Sequence, residues 1–447
     1  MLLRVEDTDR ERFTADSLQT ILDGLAWLGI AFDGDPVFQS RNAEAHRAAA
    51  EALLEGGQAF RCYCTPDELE AKRNQAIAEK RHVKYDGTCR GLPPEVRDER
   101  EREGAPSAVR FQVPEGETAW EDLIRGDSVW VNEQIGDFII LRADGSPTYQ
   151  LAVVVDDHDM GVTLVMRGAD HLSNAPKQIL LFKALGYDVP DYAHTTLILG
   201  PDGKKLSKRH GATTVTEYRE AGLLPETIYN FLALLGWAPE EEGRELFQKE
   251  ELVEAFSVEG MLKKDAIFDE KKLDWLQGEH IRTKSVAELA EVATKVWVEA
   301  GWMDEAEAEG REAELIRICA LLRERIQTYR GFLAFGYFFD DPKAFEEKAK
   351  KKHWKADTST RMEALASRLE ALDTFTDGDV ERVTRILAGE LGISPARLIH
   401  PARLALCGVG FGPGLFELME VLGRETCIRR LHRGIELLGR EAPVSAE

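Results

Sequence analysis

Near residue 215 the hydrophobic pattern of this chain changes period, and few folds accommodate such a change. Upstream, short apolar runs alternate with helical stretches. Leu3 and Val5 read as the end of a buried strand, and Leu18, Ile21, Leu22, Leu25 and Leu28 share one helix face with Gly29 as its stop. A second helix over 43–54 ends at Gly56-Gly57. Residues 138–141, 152–155, 162–166 and 195–199 are apolar runs of buried-strand type, with a helix over 177–185. This alternation predicts a parallel α/β sheet. Residues 59 to about 115 interrupt it as an inserted lobe holding a Cys-Tyr-Cys strand, a helical stretch over 66–80 and a very charged segment over 95–103. Downstream, helices follow one another, with Pro395, Pro401 and Pro413 at helix entrances.

The chain's 447 residues exceed one ordinary core and predict two to four domains. With 57 Lys+Arg against 80 Asp+Glu, the net charge of -23 predicts solubility and repels non-specific polyanions. It leaves room for local basic stripes, and two occur: Lys204, Lys205, Lys208 and Arg209, then Arg424, Arg429, Arg430 and Arg433. The most apolar window, 229–237, is too short to span a membrane. Residues 1–12 carry four acidic groups and no apolar signal core. Six cysteines make no disulfide framework in such a chain, but Cys62, Cys64 and Cys89 are bunched, which points to metal chemistry in a reducing compartment. The expected location is cytoplasmic. With no self-complementary apolar stripe, the expected state is a monomer.

Three segments carry the chemistry. Gly203-Lys204-Lys205-Leu206-Ser207-Lys208-Arg209-His210-Gly211 follows a strand and a Pro-Asp-Gly turn, which puts lysines beyond a strand's carboxyl end, where ligands bind in open α/β sheets. Lysines there can close over a polyphosphate; the alternative is an exposed basic turn. Asp156-Asp157-His158-Asp159 is a dense polar turn after a buried run, and Arg167 ends the next. Tyr149, the Asp pair and Arg167 can converge on a crevice that recognises a carboxylate, or the cluster is a hydrogen-bonded turn. Glu6-Asp7-Thr8-Asp9-Arg10 follows the first strand, either as an acid for a substrate ammonium or as a helix-entry turn.

Together with Tyr85-Asp86-Gly87-Thr88-Cys89, Pro147-Thr148-Tyr149, Arg167-Gly168-Ala169-Asp170-His171, Lys205-Leu206-Ser207-Lys208-Arg209 and Phe268-Asp269 to Trp275-Leu276, these segments resemble class I aminoacyl-tRNA synthetases, and among them the bacterial glutamyl-tRNA synthetases. The resemblance runs in order from residue 2 to about 435. It implies a Rossmann-type α/β catalytic domain over 1–58 and 138–215, with an inserted α+β acceptor-binding lobe over 59–137. A connecting helical domain over 216–289 and an all-α anticodon-binding domain over 290–447 would follow. The implied reaction joins ATP, with Mg2+, and L-glutamate into glutamyl-adenylate, then passes the glutamyl group to tRNA-Glu, with tRNA-Gln left open as a second acceptor. By family position Glu6 contacts the α-amino group, Tyr149 and Arg167 bind the carboxylates, and Lys205, Ser207 and Lys208 form the KMSKS-type loop. Lys208 contacts phosphate, His171 and Asp170 shape the ATP crevice, and Arg403 meets the anticodon. Arg429, Arg430 and Arg433 are expected to add phosphate contacts by charge.

Two departures stand against this resemblance. The family's HIGH signature lies ahead of the Glu6 segment, where this sequence has five residues. That leaves a misplaced start, the favoured account, or a non-catalytic tRNA-binding relative. Cys62, Cys64 and Cys89 match three ligands of a zinc site found in part of the family, but Gly91 stands where the fourth falls. Either zinc is completed from elsewhere, with His82 as candidate, or three thiols remain from a degraded site.

Overall fold

The computed structural model describes residues 1–8, 13–207 and 214–439, which form two compact units. The first comprises 1–216 and 228–269. It opens with β1 (Arg4–Val5), α1 (Ala15–Trp27), β2 (Val37–Phe38) and α2 (Ala43–Glu55). The Thr14 side chain caps α1 by accepting from the Ser17 N–H. Past its end, Gly29 takes a φ of 66°, which a side chain would resist. The apolar stripe of α1 is less buried than its periodicity suggests, and Ile21 is 57% exposed. With Leu3, Val5, Phe13 and Leu18 it lines an open cavity of about 310 Å³.

Residues 59–141 follow with β3 (Ala59–Cys62), α3 (Pro66–Ala78), α4 (Pro94–Arg102), β4 (Ala108–Phe111), β5 (Glu117–Asp122), β6 (Gly126–Val131), α5 (Asn132–Ile135) and β7 (Phe138–Leu141). Thr65 and Glu68 close a capping box on α3 with Pro66 in the first turn. β4 lies antiparallel between β3 and β7. Then come α6 (Tyr149–Asp159), β8 (Leu164–Gly168), α7 (Ala175–Leu185), β9 (Asp191–Thr195), β10 (Ile198–Leu199) and, after 228, β11 (Ala266–Ile267). A second sheet runs β6-β5-β9-β8, with β9 parallel to both β5 and β8. β10 pairs in parallel with β11, which joins 228–269 to this unit.

One expected strand is a helix. Residues 152–155 lie in α6, whose side chains from Leu151 to Asp157 are all buried. Val153, Val154 and Val155 suggest a strand, but α6 packs between α2 and α7, so it is apolar on nearly every face and shows no helical stripe.

The second unit, 217–227 with 270–439 of the described residues, is helical around Trp297, Leu322, Phe332, Met362, Leu404, Leu406 and Leu431. Pro401 does not enter a helix but sits inside Ala396–Cys407. Proline has no N–H to offer the carbonyl one turn back, and that carbonyl, of Arg397, instead accepts from Arg361 Nη1 at 3.1 Å. The expected phosphate cluster is also corrected. Arg430 is buried and gives its donors to the carbonyls of Tyr337, Leu406 and Asp340, while Arg429, Arg430 and Arg433 all pair with Asp341.

Candidate active site

The first unit gathers most of the sequence-derived residues. Glu6 follows β1 and is exposed, while Arg4 turns inward to Asp157 at 2.6 Å and stands 3.6 Å from Glu6. Burial lifts the Asp157 carboxyl above its ordinary value against the pull of Arg4. Its neighbour Asp156 accepts from Gln39 (2.8 Å), Asn42 (2.6 Å) and His46 (2.8 Å). Burial works against the charged Asp156, but these donors outweigh it and hold the carboxyl low. Asp7 is tied to Ser40, accepting from its N–H at 2.8 Å and its hydroxyl at 2.6 Å. The Asp cluster is therefore a brace that fixes the strand ends.

Tyr149 opens α6. Burial raises its phenol first, Glu6 adds to that, and Arg167 opposes, so the phenol lies in the fields of both charges. Its hydroxyl is 3.4 Å from His171 Nδ1, which Asn174 Nδ2 also approaches at 3.2 Å. Arg167 leaves β8 with its guanidinium 5.5 Å from the Tyr192 ring centroid. Its Nε donates to His194 Nε2 at 3.2 Å, and its Nη2 is buried without a partner. A buried donor without an acceptor is costly, and this one stands beside Tyr149 as a ready site for a carboxylate oxygen.

The basic loop leaves β10. Leu206 N–H donates to the Ile198 carbonyl, and Lys205 Nζ reaches Asp170 at 2.7 Å, which holds that carboxyl low. Ser207 is half-buried, and Lys208 lies outside the described residues. In the second unit Arg403 Nη1 and Tyr337 Oη are both buried without partners. A Cβ on Gly412 would lie 3.1 Å and 2.8 Å from them, and Phe411 beside it is 56% exposed.

In the lobe Cys62, Cys64 and Cys89 bring their sulfurs within 4.8 Å of one another. Gly91 offers no ligand atom, and His82 is exposed and outside the group. The Tyr85 hydroxyl lies 3.6 Å from both Cys62 and Cys64 sulfurs, and burial, with these thiols adding to it, raises its phenol above the ordinary value. The Arg110 guanidinium covers its ring at 3.8 Å. Sequence reasoning missed this residue; its spacing of one turn before Cys89 was the available signal. Asp122 and His194 were missed as well, and a lone histidine in a buried strand was their only trace.

A family model for the catalytic domain of class I tRNA synthetases (E and Q) matches residues 1–275, and one for an anticodon-binding domain matches 286–435. Glutamate–tRNA ligase 1 of Caldanaerobacter subterraneus subsp. tengcongensis is 42% identical over 441 residues, 98% of this chain and 91% of that protein. The chain belongs to the glutamate–tRNA ligase family. The Moorella thermoacetica glutamate–tRNA ligase is 43% identical over 443 residues, covering 97% of this chain and 90% of its own. The crystal structure of a glutamate tRNA ligase from Elizabethkingia meningosepticum, in complex with its amino acid, matches with a TM-score of 0.89 at 30% identity. That match covers 98% of this chain and 92% of the other. Membership gives the Rossmann-like catalytic fold and the mostly helical anticodon-binding domain their place. Among the described residues no helix is long and apolar enough to cross a membrane.

Proposed function

We propose that this protein is an ATP-dependent ligase that activates L-glutamate as glutamyl-adenylate and transfers it to the 3′ end of tRNA-Glu. The observation that carries the reading is the buried, partnerless Nη2 of Arg167 beside Tyr149 and Glu6. In this reading Glu6 takes the substrate ammonium, and Tyr149 and Arg167 take its carboxylates. Glutamine, a neutral amide, would leave the arginine poorly paired and be rejected. The reaction needs no protein nucleophile. Substrates are positioned, and charge growing at the α-phosphorus is met by the Lys205-Ser207-Lys208 loop and His171, with Mg2+ arriving on ATP. Asp170, by pairing with Lys205, holds the stem of that loop beside His171.

Arg403 contacts the anticodon, where unpaired bases are read by stacking and edge hydrogen bonds. Cys62, Cys64 and Cys89 would hold a zinc ion that pins the lobe, with the Tyr85 hydroxyl beside them as the fourth group; three sulfurs within 4.8 Å of one another support this. Six cysteines with no disulfide among them support a cytoplasmic location, and the expected state is a monomer.

The test is charging of tRNA-Glu with labelled glutamate and ATP, by this chain and by a form extended upstream to the next in-frame start. A parallel arm with tRNA-Gln reads the second acceptor. Glutamylation of tRNA-Glu is expected; none in either form, with tRNA binding retained, would leave an RNA-binding relative instead.

A further inference from the structure

We infer that Asp122 and His194 are positioning residues for the substrate carboxylate, holding the Arg167 guanidinium in one orientation through a histidine spacer. The inference rests on the reading of Arg167 given above.

The three residues lie on adjacent strands. β9 runs between β5 and β8, Arg167 is in register with His194, and Asp122 is in register with Tyr192, two residues before His194 on the same strand face. Asp122 Oδ1 accepts the backbone N–H groups of Ile124 (3.2 Å), Arg125 (3.0 Å) and His194 (3.1 Å). Its other oxygen meets His194 Nδ1 at 2.5 Å, and both side chains are fully buried. Burial opposes the Asp122 charge, but His194 and these N–H groups outweigh it and keep the carboxyl below its ordinary value.

An ionised carboxylate can only accept, so Nδ1 of His194 carries the proton. Burial, with Arg167 and Arg125 adding to it, lowers the pKa of His194 despite Asp122. A neutral ring with Nδ1 protonated has a bare Nε2, which can only accept, and Arg167 Nε donates to it. The Tyr192 ring lies parallel to that of His194 within 4° and also sits by the guanidinium, so the groups facing the histidine are Asp122, Arg125, Arg167 and Tyr192.

The spacer has a physical purpose. A carboxylate placed directly on Arg167 would orient it but also neutralise it, leaving little field for a substrate. An imidazole between them passes on orientation while Asp122 stays one ring away. Nη2 is then held, charged and dry, where a carboxylate oxygen can be met.

The experiment is glutamylation of tRNA-Glu by the full chain, with KM read separately for glutamate, ATP and tRNA. His194→Leu is expected to raise the glutamate KM roughly 10- to 100-fold while the other two stay within about twofold. His194→Gln should recover most of the loss, because its amide oxygen can accept in place of Nε2. Acidification that protonates His194 should raise the glutamate KM of the parent and not of H194Q. Nitrogen NMR of the His194 ring gives a reading independent of activity: the Nδ1–H neutral tautomer is expected at pH 7. An Nε2–H tautomer, an imidazolium at that pH, or an unchanged glutamate KM in H194L overturns the relay, as does an equal rise in all three KM values without rescue by glutamine. Failure of the parent chain to glutamylate would sink the ligase reading, and the tautomer would still decide the relay.

Discussion

Replacing Asp157 with Asn tests what the Arg4 ion pair does for the site. Arg4 Nη1 meets Asp157 at 2.6 Å with side chains only 17% and 5% exposed, and its other nitrogen is already 3.6 Å from Glu6. Burial holds the Asp157 carboxyl above its ordinary value against the pull of Arg4, so the folded chain favours its neutral form. Asn is neutral and keeps an acceptor for Arg4, so folding stability at pH 7 is expected to change by less than about 1 kcal/mol. The second effect is on binding. Freed from Asp157, Arg4 closes on Glu6; shortening that contact to about 2.8 Å strengthens it by ~1 kcal/mol at an effective dielectric of 20. A substrate ammonium then competes with a guanidinium for Glu6, and the glutamate KM rises roughly five- to tenfold. Urea melts followed by circular dichroism read the first effect, and glutamylation at varied glutamate and varied ATP reads the second. An unchanged glutamate KM, with the melting midpoint kept, would refute the claim that Asp157 keeps Arg4 off Glu6.

Further outcomes follow from the same contacts. Asp156 is held low by three buried donors, so its stabilisation is present above the unfolded carboxylate pKa and is lost as pH falls through the lower folded value. D156N should cost about 2–4 kcal/mol at pH 7, and the gap to the parent should narrow as urea melts are taken below about pH 4. Metal analysis should find zinc in the protein, lost in C64S and reduced in Y85F; a metal-free parent protein would refute the four-donor centre. Tyr337→Phe should raise the melting temperature, since it removes a buried hydroxyl that has no partner. A lowered melting temperature in Y337F would refute the reading that this hydroxyl is unpaired.

Local signals were legible in the sequence where a local cause exists. The stops at Gly29 and Gly56-Gly57, the helical stretch beginning at Pro66 and the strand at 138–141 are set by neighbours in the chain. The helix at α6 was not, because burial on every face removes the period that distinguishes helix from strand. Of the candidate site, Glu6, Tyr149 and Arg167 stood out as polar residues at the ends of apolar runs. Asp122 and His194 did not, since their hydrogen bond joins strands far apart in sequence and leaves no spacing to read. Arg430 misled for the opposite reason: its neighbours make it look like part of a surface stripe, while three carbonyls and Asp341 from distant segments bury it. Charge counts cannot see such partners.

The short β10 strand has a consequence for how the protein comes into being. Phe268 N–H donates to the Leu199 carbonyl at 2.8 Å, and Ala266 N–H to the Leu197 carbonyl at 3.1 Å, so the stem of the lysine loop is clasped by chain made much later. During synthesis that stem lacks its β11 partner until Phe268 has cleared the ribosome. The nascent unit can gather its other strands earlier, but it cannot complete the β10–β11 pair from which the lysine segment leaves.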